Sequence, residues 1–175
     1  MKRRRFVLLL PLTVAAALTS GCFSAEDFGA KGAEAARCQA ADDDQQLTDQ
    51  VLQLVNLERA EAGLPPVVMN AALKRVASEY ACRMVDEGFF GHRDPVSGYG
   101  PGERAALGRY SFFAVGENLA AGQETPADVM RIWMESASHK AIILDERWRE
   151  VGIAVRFGGE YSVYWVQEFG DPADF

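Results

Sequence analysis

Residues 151–169, VGIAVRFGGEYSVYWVQEF, decide the fold class. Valine, isoleucine and aromatic residues crowd two short runs, Val151 to Phe157 and Tyr161 to Phe169, joined by Gly158-Gly159-Glu160. Such side chains suit a pleated, half-buried surface and the glycine pair supplies the joint, so the stretch predicts a β-hairpin. Upstream the period is different. Leu47, Val51, Leu54 and Val55 recur at helical spacing up to Ala62, Gly63 stops the run, and Pro65-Pro66 forces extended chain. Asn70 is placed to cap a second helix, in which Leu73, Val76, Ala77, Tyr80, Ala81, Met84 and Val85 keep the i, i+3, i+4 pattern as far as Gly88. His92 to Gly102 reads as a loop and Glu103 to Leu107 as a short helical piece. A third helix opens at Thr125, a capping residue, with Pro126 in its first position and Asp128 near the positive end of the dipole. It continues through Val129, Ile132, Trp133 and Ser136. Helices first and an antiparallel hairpin last predict an α+β layered domain.

The 175 residues have room for one domain and an appendage, which excludes two-domain kinases, dehydrogenases and barrel enzymes. Aromatic content of 10% gives the chain enough to bury, so sustained disorder is also excluded. The formal net charge is −7, unevenly spread. Lys2, Arg3, Arg4 and Arg5 open the chain; without them 14 basic residues face 25 acidic ones, a net −11. A body this acidic repels phosphate backbones, so nucleic acid is not an expected partner.

Residues 1–21 read as a lipoprotein signal peptide. The basic start leads into an apolar run from Phe6 to Leu18, shorter than the ~20 residues of a membrane span and interrupted by Pro11. Thr19-Ser20-Gly21-Cys22 then resembles a bacterial lipobox, which implies lipidation at Cys22. An ordinary secretory signal with Cys22 incidental is the alternative. Phe23 replaces the aspartate that signals inner-membrane retention, so an outer-membrane lipoprotein facing the periplasm is expected where the host has that membrane. Residues 22–45, rich in alanine, glycine and acid and ending near Asp42-Asp43-Asp44, read as a lipidated, flexible tether before a domain over 46–172. Cys38 and Cys82 form an even pair in an exported chain and suit a disulfide stapling the tether to the second helix; two free thiols are the alternative.

Familiar catalytic signatures are missing: there is no G-x-S-x-G, P-loop, H-E-x-x-H or C-x-x-C. Only two histidines exist, His92 and His139, each at or just past a predicted helix end. Between them Glu117 lies in the mostly apolar segment 112–121, and a carboxylate buried there needs a partner; a histidine is a natural one. Trp133, Trp148 and Trp165 read as core or cleft-wall aromatics. Gln167 and Glu168, adjacent on a predicted strand, point to opposite faces.

Five segments in order carry a resemblance: Phe89-Phe90-Gly91-His92, Gly116-Glu117-Asn118-Leu119-Ala120, Trp133 to Leu144, Val151-Gly152-Ile153-Ala154, and Tyr164 to Gly170. With Asn56-Leu57-Glu58-Arg59 before them, they resemble the CAP superfamily (cysteine-rich secretory proteins, antigen 5 and pathogenesis-related 1 proteins) in its bacterial SCP-like branch. The resemblance implies a three-layer α-β-α sandwich with an antiparallel central sheet and a cleft. It places His92, Glu117 and His139 at three of four family site positions and Gln167 on the cleft wall. Ser136 stands at the fourth, where the eukaryotic pattern has a glutamate, and Glu135 would point about 100° away on a helix.

Two imidazoles and a carboxylate suit Zn2+ or another divalent cation, completed by water. A hydrogen-bonded cluster without metal is the alternative. The implied function is a monomeric, lipid-anchored envelope binding module for a lipid, another small apolar ligand or a peptide. The rival is a zinc-dependent hydrolase of envelope peptide or glycan, with His92, Glu117 and His139 as its catalytic candidates.

Overall fold

The structure, a computed structural model, describes residues 37–173. The expected signal peptide 1–21, Cys22 and the first part of the tether lie outside the described residues. Among the described residues five helices and four strands follow in order: α1 (Asp44–Glu61), β1 (Val68–Met69), α2 (Ala71–Glu87), α3 (Pro101–Leu107), β2 (Phe112–Ala121), α4 (Pro126–Glu135), α5 (Ala137–Ile143), β3 (Glu150–Phe157) and β4 (Val163–Pro172).

The strands form one sheet in the order β1-β3-β4-β2. The β3–β4 and β2–β4 pairs are antiparallel, but β1 runs parallel to β3, so the sheet is mixed and the expected antiparallel sheet is corrected at that edge. No hairpin joins β1 to β3 to impose the opposite sense. Instead the extended chain after Pro65-Pro66 is clamped onto α1 by Asn56, whose side chain accepts from Val67 N at 2.9 Å and donates to Val67 O at 3.0 Å.

Helices cover both faces. Alternating side chains send Val151, Ile153, Val155, Trp165 and Phe169 into a core with Val51 and Val55 of α1 and Val129 and Trp133 of α4. The opposite face sends Ala154, Tyr164, Val166 and Leu119 against Ala77, Tyr80, Ala81, Met84 and Val85 of α2. That helix begins and ends where its sequence dictates. The Asn70 side chain accepts from Ala72 N and Leu73 N, and Gly88 takes the left-handed conformation at φ 67°. Ser136 is extended (ψ 121°) and splits the anticipated third helix into α4 and α5, which puts His139 inside a helix. All three tryptophans are buried, and each indole N–H finds a backbone carbonyl: Leu119, Ile142 and Gln123.

The last part of the expected tether is ordered. Gln39 exchanges two backbone hydrogen bonds with Phe157, and α1 starts at Asp44. Cys38 and Cys82 form a disulfide with Cα atoms 5.0 Å apart, closing a 44-residue separation. The chain-entropy cost removed from the unfolded state by such a closure is about 4 kcal/mol.

Gly152 lets α2 lie directly on β3: a Cβ there would stand 2.1 Å from the Leu73 carbonyl carbon and 2.3 Å from Lys74 N. Gly152→Ala is therefore expected to cost about 3 kcal/mol or more, because backbone has to move. Gly91→Ala, which meets nothing within 4 Å, is expected to cost under about 0.5 kcal/mol. Urea denaturation of the two variants checks the contrast.

Candidate functional site

Strand register builds the site. Glu117 of β2 pairs with Glu168 of β4, so two buried carboxylates emerge side by side on the α2 face. Arg104 of α3 answers both. Its Nη2 bonds Glu117 Oε2 and lies 3.3 Å from Glu168 Oε1, while Nη1 donates to the carbonyls of His92 (3.0 Å) and Tyr99 (3.1 Å). The guanidinium rests on the Tyr80 ring, 3.3 Å from its centre. The other Glu117 oxygen meets His92 Nδ1 at 2.7 Å, and the imidazole keeps 55% of its surface exposed.

Around this core the loop before α3 is held by Asp94. Its carboxylate pairs with Arg83 and accepts the N–H groups of Val96 and Ser97. The Arg83 hydrogen bond first, then the Ser97 N–H, hold Asp94 well below the usual carboxylate range. Burial, then the charge of Glu117, push Glu168 well above it, with Arg104 opposing. Burial carries Tyr80 to about 12. The Glu117 hydrogen bond raises His92, whereas burial, then the charge of His92, lower His139.

Of the residues singled out in the sequence, the structure joins His92 to Glu117. His139 bonds to neither. Asn118, which alternates to the opposite face from Glu117, donates to the His139 carbonyl at 3.2 Å and to Gln167 Oε1 at 3.0 Å. The His139 Nδ1 is buried and has no partner among the described residues. Gln167 is fully buried behind this contact and presents no surface to a cleft; the strand residue that joins the cluster is Glu168. Glu135 turns to the exposed Arg131 at 3.1 Å, so it does not supply a fourth acid. No sequence motif points to Arg104 or Asp94. The one signal for Arg104 is that a buried carboxylate demands a cation.

Among the described residues no three histidine, cysteine or acidic side chains are gathered closely enough to hold a metal ion. Both Glu117 oxygens are also engaged, one by a permanent cation. As arranged, His92, Glu117 and His139 do not fit a resident divalent cation.

Beside the cluster, between α2, α3 and the 92–100 loop, opens a groove of about 590 Å³ lined by Val76, Tyr80, Tyr99 and Leu107 and by charged side chains. That volume is in the range of small-molecule sites.

The three-layer sandwich and a carboxylate–arginine–histidine cluster at its rim define an α+β domain with a side groove. The chain belongs to the cysteine-rich secretory protein (CAP) family, whose profile matches residues 52–169. It is 32% identical over 119 residues to the uncharacterized protein YkwD of Bacillus subtilis; this covers 68% of the chain but only 45% of YkwD. An extracellular SCP-domain protein of Bacillus anthracis is 26% identical over 73% of the chain and 41% of its own, with TM-score 0.65. An outer surface protein of Borrelia burgdorferi shares the fold at TM-score 0.70 and 22% identity, covering 77% of this chain and 98% of that one.

Replacing Arg104 by methionine would leave two buried carboxylates without their cation and is expected to cost about 3 kcal/mol at neutral pH. The deficit should shrink in acid, where the carboxylates take up protons; denaturation at both pH values checks this. His92 has a second pH signature. Its folded value lies above the ordinary 6.5, so its stabilisation is complete below 6.5 and is lost as the pH climbs through the raised value. The gap between wild type and His92→Gln in urea midpoint should be widest in acid and close on the alkaline side.

Proposed function

We propose that this CAP-domain protein is an exported binding module of the cell envelope, held to the membrane through lipid on Cys22, that takes a lipid, another small apolar ligand or a peptide. The groove between α2 and α3 carries this reading. It is of small-molecule size, and buried Val76 and Tyr80 share its lining with Tyr99 and Leu107. The disulfide fits an oxidising compartment. Outer-membrane placement facing the periplasm follows from Phe23 where the host has that membrane. No helix among the described residues is long and apolar enough to cross a membrane.

Hydrolysis by a zinc-bound water has less support. The carboxylate that would serve the metal already carries His92 on one oxygen and Arg104 on the other.

Two measurements test the proposal. Labelled palmitate should enter the full chain and be absent from Cys22→Ser; an unlabelled wild-type chain overturns the anchor. Native mass spectrometry of protein taken from membranes in mild detergent should show a co-purifying mass that survives chelation. Protein that arrives empty, and stays empty with myristoyl lysophosphatidylcholine and with alanine-rich tripeptides, overturns the binding reading.

A further inference from the structure

The chain enters the described domain beside the turn between β3 and β4. Gly158 has φ 124°, and a Cβ there would stand 2.7 Å from the Arg37 carbonyl oxygen, so Arg37 lies directly against this turn. Gly159 (φ 62°) and Ser162 (φ 65°) are left-handed as well. Gly158 N donates to the Ser162 carbonyl at 3.0 Å, which closes the loop around Tyr161.

Tyr161 is 44% exposed, as is Phe90 from the turn after α2, and their rings lie 5.9 Å apart. Both rest on Tyr164, whose ring centre is 5.7 Å from Tyr161 and 6.3 Å from Phe90 and which is itself fully buried. Two turns distant in sequence thus present one aromatic patch on a fixed base. A single exposed apolar side chain is ordinary, but two in contact over a buried third form a surface that water covers unfavourably. The rim is acidic: Glu87 stands three positions before Phe90 and Glu160 one before Tyr161, both exposed. Such a rim repels an anionic lipid surface.

The patch and the chain's entry share this end of the domain. Residues 23–36 separate Cys22 from Arg37, at most about 50 Å of fully extended chain. Lipid on Cys22 would therefore draw the domain to the membrane by the end that carries Phe90 and Tyr161, and would hold the patch at high effective concentration there. Aromatic side chains settle favourably at the boundary between headgroups and acyl chains.

We infer that the Phe90–Tyr161 patch is the surface by which the anchored domain sits on a zwitterionic bilayer, with both rings in the interfacial zone. This rests on the Cys22 anchor proposed above and adds the face that the domain turns to the membrane. Two half-exposed rings bury too little area to hold the domain unaided, so the contact needs the anchor.

The test is fluorescence of the full, lipid-bearing chain on phosphatidylcholine vesicles, with and without bromine on the acyl chains. The three native tryptophans are buried, so an added one reports its own position. Phe90→Trp is expected to lose roughly a third of its added emission to bromine, because an indole in the interface lies within reach of it. Val68→Trp is the control: Val68 is 58% exposed and pairs with Glu150, at the opposite end of β3 from Phe157. Its emission should not change. Tyr161→Trp probes the same patch if Phe90→Trp melts early. Phosphatidylglycerol mixed into the vesicles should weaken the quenching; quenching that deepens instead overturns the zwitterionic preference. Equal quenching at positions 68 and 90, or none at either, in chain that floats with the vesicles overturns the docking face and leaves the anchor standing. A chain that does not float with them overturns the anchor, and this inference with it.

Discussion

One buried guanidinium fixes the frame. Arg59, fully buried near the end of α1, donates to four backbone carbonyls: Pro65, Ile143, Asp145 and Trp148. These belong to the exit of α1, the end of α5 and the turn into β3, and the last three carbonyls lie more than 80 residues from Arg59 in sequence. Without it the buried Ile143 carbonyl would lose this donor, and Trp148 O would be left to the Arg149 side chain. Burial, then the neighbouring charge of Arg149, make its cationic form harder to keep, and Asp145 opposes them. Five guanidinium donors in a fixed fork can serve four carbonyls at once, which a lysine cannot. Through this joint the start of β3 is set, through β3 the register of β4, and through β4 the pairing that places Glu168 opposite Glu117.

The site is a problem in charge balance solved with few groups. Two carboxylates side by side out of water repel, and a single arginine lies between them. The imbalance is relieved by the upward displacement of Glu168, which favours its neutral form, and by His92 at the other oxygen of Glu117. Arg104 also ties the 92–100 loop to the sheet through the carbonyls of His92 and Tyr99. The same side chain therefore neutralises the interior and forms part of the groove lining.

The parts legible in sequence are those with local causes. The cap at Asn70, the left-handed Gly88, the Thr125–Pro126 start and the β3–β4 hairpin follow from residue chemistry within one turn or one strand. The cysteine pair is legible from export alone. Strand β2 is hidden because helices cover both of its faces, so Phe112 to Ala121 shows an apolar run without alternation. Strand β1 has only two residues, too few for any period. In the site, His92 and Glu117 can be read as partners because a buried acid needs one. Which of Gln167 and Glu168 joins them depends on strand pairing across 51 residues, a non-local choice no window reveals. Arg104 belongs to the same class: the sequence predicts a short helix there, but not which strand its side chain meets.

The fastening at Cys38 and Gln39 also sets a path for mechanical force. A pull applied to the chain before Arg37 meets the Cys38–Cys82 bond first, then the two hydrogen bonds that Gln39 and Phe157 exchange. Tension passes into α2 and the end of β3. Helix α1, which follows directly in sequence and carries Arg59, lies outside that path. Under such a pull the domain would be loaded through a covalent strut, with the joint that sets its fold left slack.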